Sequence, residues 1–164
     1  MPAAKRISKE AIIDAAAAVL RIGGFEAINA RSVALGCSTQ PIYLSFRNME
    51  ELKSALTQRA IEQHTQRVRE SLRAHEGCDS RYSSYGMGFV QFAAQEKQLF
   101  RWLYLEDNQP GRHQEDVLEP EIIRTVMDEF GYDEVTARAF HRDMTYYSYG
   151  LAILANTGHL ALTE

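Results

Sequence analysis

Cysteine is scarce in this chain: only Cys37 and Cys78 occur among 164 residues. Neither has a partner at metal-ligand spacing, which excludes a disulfide framework and a zinc site, so both read as small, partly buried side chains. Long apolar runs are missing as well. No stretch of about 18 or more could span a bilayer, and the opening MPAAKRISKE carries charge without an apolar leader core. The expectation is a soluble cytoplasmic protein with no membrane partner. Sustained period-two alternation is absent, which argues against strands. Enzyme signatures are equally sparse. His64, His75, His113, His141 and His159 stand at no H-E-x-x-H spacing, no P-loop occurs, and Gly86-Met87-Gly88 lacks both a third glycine and a preceding strand. Asp107, Glu115 and Asp116 fall in a polar stretch and read as solvated surface. No enzyme activity, cofactor or metal is expected.

What the chain does have is enough apolar matter for a core, at 45% of residues, and a lopsided charge. The net charge of -4 hides eight Lys/Arg against five Asp/Glu in residues 1–60, a net of +3, and ten against seventeen in residues 61–164, a net of -7. A basic head on an acidic body can hold phosphate at one end while the remainder keeps the protein soluble.

Helical periodicity and caps recur throughout, so the fold class is all-α. Ser8 caps a first helix to about Ile22, with Ile12, Ala15, Ala16, Val19 and Leu20 as its apolar stripe and Gly23-Gly24 as its stop. Asn29 caps a short second helix through Leu35, which Gly36 breaks. Ser38 caps a third that ends near Phe46, with Pro41 in its first turn, where a missing N–H removes no intrahelical bond. Asn48 and Glu51 have the spacing of a capping box, opening a fourth helix to about His75. HEGCDS reads as a loop, with Asp79 and Ser80 restarting the helix. An aromatic-rich helix covers Tyr82 to Glu106, weakened at Gly86 and Gly88, and EDNQPGRHQED forms a polar loop. Further helices are expected from about Glu121, just after Pro120, to Phe130, and from about Asp133 to Thr157. Leu162-Thr163-Glu164 reads as the cap and first residue of another helix, as a truncated product would leave.

Helix, glycine-containing turn and second short helix is the pattern of a helix-turn-helix. Its context makes it specific: IIDAAAAVLRIGGFEAINARSVA leads into LGCSTQPIYLSF and RNMEELKSAL. Over residues 8–56 the chain resembles the N-terminal domain of the TetR family of transcriptional regulators. The matching residues are Ile13 and Ala16, Gly24-Phe25-Glu26-Ala27, Arg31, Val33 and Ala34, Gly36 and Ser38, Tyr43 and Phe46, and Glu51-Leu52. One departure stands out. Between Ala34 and Gly36 the family has three residues and this chain has only Leu35, a loss that rotates the downstream residues by about 200° if the helix is continuous.

A helix fits the major groove, and its first turn reaches base edges. That turn carries Thr39 and Gln40; Gln pairs bidentately with adenine, and the Thr methyl touches thymine. Pro41 adds a stiff apolar surface. Tyr43, Ser45, Arg47 and Lys53 are placed at phosphates, with the first N–H groups of the fourth helix as a further phosphate site. The other reading of Tyr43 is a half-buried core aromatic. Lys5 and Arg6 either track the DNA or belong to a solvated tail. Ile42, Leu44 and Phe46 read as packing residues, with Ile42 and Phe46 facing inward.

The remainder resembles the C-terminal part of TetR-type regulators more loosely, through FVQFAAQEKQLFRWLYLEDN and YYSYGLAILANTGHLALTE. The resemblance implies a small-molecule effector pocket, with Phe89, Phe92 and Trp102 as its walls and Arg101 or His141 as a polar anchor, or else an ordinary core. Tyr146, Tyr149, Gly150 and Ile153 suit a homodimer interface. The resulting expectation has two domains: residues 1–56, a three-helix helix-turn-helix, and residues 57–164, a larger helical effector-binding and dimerisation domain. The implied protein is a ligand-responsive regulator, a repressor as the commoner outcome in the family, bound to a near-palindromic double-stranded DNA operator. The alternative is a helical small-molecule or protein-binding module whose shortened second helix has lost DNA binding.

Overall fold

The computed structural model describes residues 7–34, 38–73, 80–106 and 112–161. Every regular element among them is helical: α1 (Lys9–Gly23), a 3-10 turn (Phe25–Ala27), α2 (Ala30–Val33), α3 (Gln40–Ser45), α4 (Met49–Arg73), α5 (Arg81–Gln95), α6 (Lys97–Phe100), a π-helical turn (Arg101–Leu105), α7 (Arg112–Phe130) and α8 (Glu134–Thr157). The protein is all-α. No described helix is long and apolar enough to cross a membrane. The chain divides into two compact units, residues 1–60 and 61–164. Lys5, Arg6, the Leu35-Gly36-Cys37 step with its shortening, His75, Cys78, Asp79, Asp107 and Leu162–Glu164 lie outside the described residues.

In the first unit, local hydrogen bonds set each helix end. The Ser8 hydroxyl accepts from the Ala11 N–H at 3.1 Å and opens α1. Ile12, Ala16 and Leu20, four residues apart, form its buried stripe. The two closing glycines have different reasons. Gly24 takes a φ of 76° while its N–H donates to the Leu20 carbonyl, and a Cβ on Gly23 would lie 2.7 Å from the Ala27 Cβ. Asn29 and Ser32 cap α2 reciprocally: the Asn29 Oδ1 accepts from the Arg31 and Ser32 N–H groups, and the Ser32 hydroxyl accepts from the Asn29 N–H. Ile28, Val33, Ile42, Phe46, Leu52 and Leu56 are buried with the α1 stripe. Burying each large one contributes about 1.5–3 kcal/mol. Arg59 pairs with Asp14 at 2.8 Å, holding α4 beside α1.

In the second unit, α8 lies along α5 and α7 packs against both. One apolar cluster joins Val68, Leu72, Tyr82, Leu118, Ile122 and Val126 over Ala137; another joins Phe89, Phe92, Phe100, Leu103 and Tyr104 over Ala152. The small residues of α8 let these large ones approach its backbone.

Two sequence expectations are corrected here. The polar stretch from Glu106 to Asp116 is expected to form a loop, with the next helix from about Glu121, yet α7 begins at Arg112, so Glu115 and Asp116 are helical and Pro120 sits inside the helix. Proline removes one intrahelical bond. Leu118 and Ile122, four apart and both buried in the first cluster, supply the packing that carries the helix across it. The single aromatic helix expected from Tyr82 to Glu106 is instead broken at Glu96, whose ψ of 55° is not helical, and it ends in the π turn.

Candidate functional site

Helix α3 has six residues and two faces. Ile42 and Phe46, four apart, are both buried, and the Phe46 N–H donates to the Ile42 carbonyl at 2.8 Å. The remaining positions point elsewhere. Gln40 is exposed, Pro41 and Ser45 are half-buried, and Tyr43 is 54% exposed, so it is not a core aromatic. Leu44, expected to pack, is 79% exposed. Two residues past Ile42 it lies about 200° around the helix from the inward side. Thr39 occupies the N-cap position rather than the first turn, and its side chain makes no cap bond; the Ser38 hydroxyl accepts weakly from the Gln40 N–H at 3.4 Å.

The expected phosphate contacts divide. The Arg47 side chain is 92% exposed, with its Nε 3.5 Å from a Glu51 oxygen. Lys53 is drawn away from solvent. Its side chain is 18% exposed, with Nζ 4.9 Å from the centre of the Phe25 ring and 3.9 Å from Glu50. The start of α4 is also engaged. The Asn48 Oδ1 accepts from the Glu51 N–H, and the Glu51 carboxylate reaches back to the Arg47 N–H at 2.9 Å, one residue beyond the usual capping box. With Glu50 and Glu51 in its first turn, this end is acidic. The exposed face is therefore Gln40, Tyr43, Leu44 and Arg47.

The second unit holds a cavity of about 480 Å³ lined by α5, the end of α7 and α8, with Leu160 beyond α8. Tyr85, Phe89, Phe140, Met144, Tyr147 and Tyr149 form apolar and aromatic walls, Ser83, Gln91, Thr145 and Ser148 add hydrogen-bonding groups, and no charged residue among the described ones lines it. Such a space suits an uncharged, largely apolar molecule. Tyr82 lines it too. Its hydroxyl lies 2.9 Å from the His141 Nδ1, and burial pushes the phenol up to about 12. Burial likewise holds the His141 imidazole below its ordinary value, against the opposing pull of Glu119.

The five expected effector residues are not all brought together. Phe89 lines both this cavity and a cleft beside α4 that Phe92 also lines, while His141 stands behind Tyr82. Arg101 and Trp102 line neither; the Arg101 Nε donates to the Asn156 Oδ1 at 2.9 Å. On α8, Tyr146, Gly150 and Ile153 are exposed on one face, while Tyr149 packs inward with its ring 5.1 Å from Phe89.

Sequence reasoning missed Asn156 and His64. Asn156 is buried, and its Nδ2 donates to the carbonyls of Ala93 and Lys97, which flank the break at Glu96. His64 falls in the buried four-residue series Leu52, Leu56, Ala60, His64, Val68 and Leu72. That register was the available signal. The chain matches no protein-family model, and no curated protein matches it.

Proposed function

We propose that this chain is a homodimeric, ligand-responsive transcriptional regulator of the TetR type, acting in the cytoplasm as a repressor on a near-palindromic operator. The observation that carries this reading is α3: a short helix anchored by Ile42 and Phe46 that turns Gln40, Tyr43, Leu44 and the Arg47 guanidinium outward. Gln40 at the helix start can read a base edge, Tyr43 and Arg47 can hold phosphates, and Leu44 offers apolar contact to a thymine methyl. The basic balance of residues 1–60 supports it.

Two copies joined through the exposed α8 face would present two such helices to successive major grooves. An uncharged effector in the 480 Å³ cavity would favour a half-site spacing that no longer fits the operator. The same cavity favours a second reading, a helical ligand-binding module that does not bind DNA. Selection of bound sequences from a random duplex pool at moderate salt separates the two. A palindromic motif supports the regulator; no enrichment by folded protein overturns it and leaves the module.

A further inference from the structure

The cleft that Phe92 lines, about 380 Å³ in volume, lies along α4 and α5. His64 lines it and is 8% exposed, with its ring centre 4.5 Å from that of Phe92 and 5.6 Å from that of Tyr104. The His64 Nδ1 is buried with no hydrogen-bond partner among the described residues. Arg67, three positions on and so on the same side of α4, lines the cleft and has no ion-pair partner among them. Burial first, and then the nearby Arg67 guanidinium, pull the imidazole down to about 4, so it is neutral at pH 7. Two groups able to carry positive charge thus line one cleft, beside the apolar side chains of Val68, Phe89 and Phe92.

A ligand hydroxyl could satisfy the Nδ1 but would leave Arg67 unanswered, whereas a carboxylate answers both. We propose that this cleft binds a planar aromatic carboxylate, its anionic end between His64 and Arg67 and its ring among Val68, Phe89 and Phe92, and that His64 takes up one proton from solvent as the anion binds. Gln91 and Gln95 add amide groups at the cleft. The other titratable groups facing it are Glu70, whose carboxylate accepts from Gln66 at 2.7 Å, Tyr85 from α5 and Tyr104 from the π turn. Because the free imidazole is neutral above about pH 4 and charged in the complex, affinity strengthens as pH falls until the ligand's own carboxylate protonates. This inference stands whether or not the chain binds DNA.

The test titrates benzoate, phenylacetate and indole-3-acetate into the full chain at two pH values. Imidazole nitrogen shifts are followed by NMR, and heats are measured in buffers of unlike protonation enthalpy. At least one carboxylate should bind about ten- to a hundredfold more tightly at pH 5.5 than at pH 7.5, with close to one proton taken up and the His64 nitrogens moving to imidazolium positions. Benzamide, uncharged and of similar shape, should bind at least about tenfold more weakly than benzoate, and Arg67→Gln, at an exposed position, should weaken the carboxylate about tenfold. His64→Phe should abolish proton uptake. The proposal is overturned if no carboxylate shifts His64 at millimolar concentration, if benzamide matches benzoate, or if uptake persists in His64→Phe. Should that variant not fold, Arg67→Gln and the nitrogen shifts decide.

Discussion

The Nε–H of Arg101 donates to the Oδ1 of Asn156 at 2.9 Å, across 55 residues of chain. The other half of the same amide serves the carbonyls of Ala93 and Lys97, on either side of the break between α5 and α6. Asn156 thus gives the Ala93 carbonyl a donor at the break and adds a second donor to the Lys97 carbonyl, which also accepts from the Arg101 N–H. Asn156→Leu keeps the volume and removes all three bonds. It should lower stability by on the order of 3 kcal/mol in urea unfolding, since the buried Ala93 carbonyl loses its side-chain donor and the Arg101 guanidinium its acceptor. A loss under about 1 kcal/mol would show that the break is held by packing alone.

Glu129 ties the end of α7 to the start of α5. Burial alone would raise its carboxyl, but bonds from the Ser80 hydroxyl, the Tyr82 and Arg81 N–H groups and the Arg81 guanidinium outweigh it and hold it at about 2. The folded value lies below the ordinary 4.5, so its contribution is complete above that pH and is lost as pH falls toward about 2. Glu129→Ala should cost on the order of 2 kcal/mol at pH 7. The gap from the parent protein should shrink steadily between pH 4.5 and pH 2.5; a gap independent of pH in that window would contradict the assignment.

On α3, the outward and inward residues should fail differently. Gln40→Ala should leave stability unchanged while relaxing base preference by about 1–3 kcal/mol at one operator position. Arg47→Ala should weaken binding to all sequences and reduce the salt slope by about one unit. Phe46→Ala should unfold the unit, at about 3–5 kcal/mol. Duplex selection with each variant, beside thermal melts, checks the division; an unaltered motif in Gln40→Ala removes that residue from base reading.

Gly150 meets nothing within 4 Å of where a Cβ would stand, so Gly150→Arg has room within a single chain. Replacing a helix-interior glycine should raise helix stability by up to about 1 kcal/mol. If two copies meet on this face of α8, the same change should drive sedimentation toward the monomer. A dimer that survives it would have to use another surface.

The boundaries that were legible in the sequence are those made by groups within four residues of one another. Ser8 and Asn29 cap the helices expected of them, Asp133 caps a helix expected to begin at about that residue, and Gly24 closes α1 with a positive φ that suits glycine. The inward pair Ile42 and Phe46 was legible for the same reason, because their spacing is one helical turn. Leu44 reads as a packing residue by its apolar character, but a six-residue helix has only one face to bury and Leu44 lies off it.

Tertiary structure decided what depends on partners distant in sequence. Pro120 reads as a boundary until Leu118 is buried beside Val126 and Ala137; the break at Glu96 is invisible until an amide sixty-three residues after Ala93 arrives to bond its carbonyl. His64 shows only a register along the chain, while its unpartnered nitrogen, the Phe92 ring against it and the cleft around both exist only once α4 and α5 are packed together. Capping bonds and breakers act over one helical turn and are written in adjacent residues. Burial, cavities and the pKa shifts they cause come from helices meeting, and adjacent residues do not encode which helices meet.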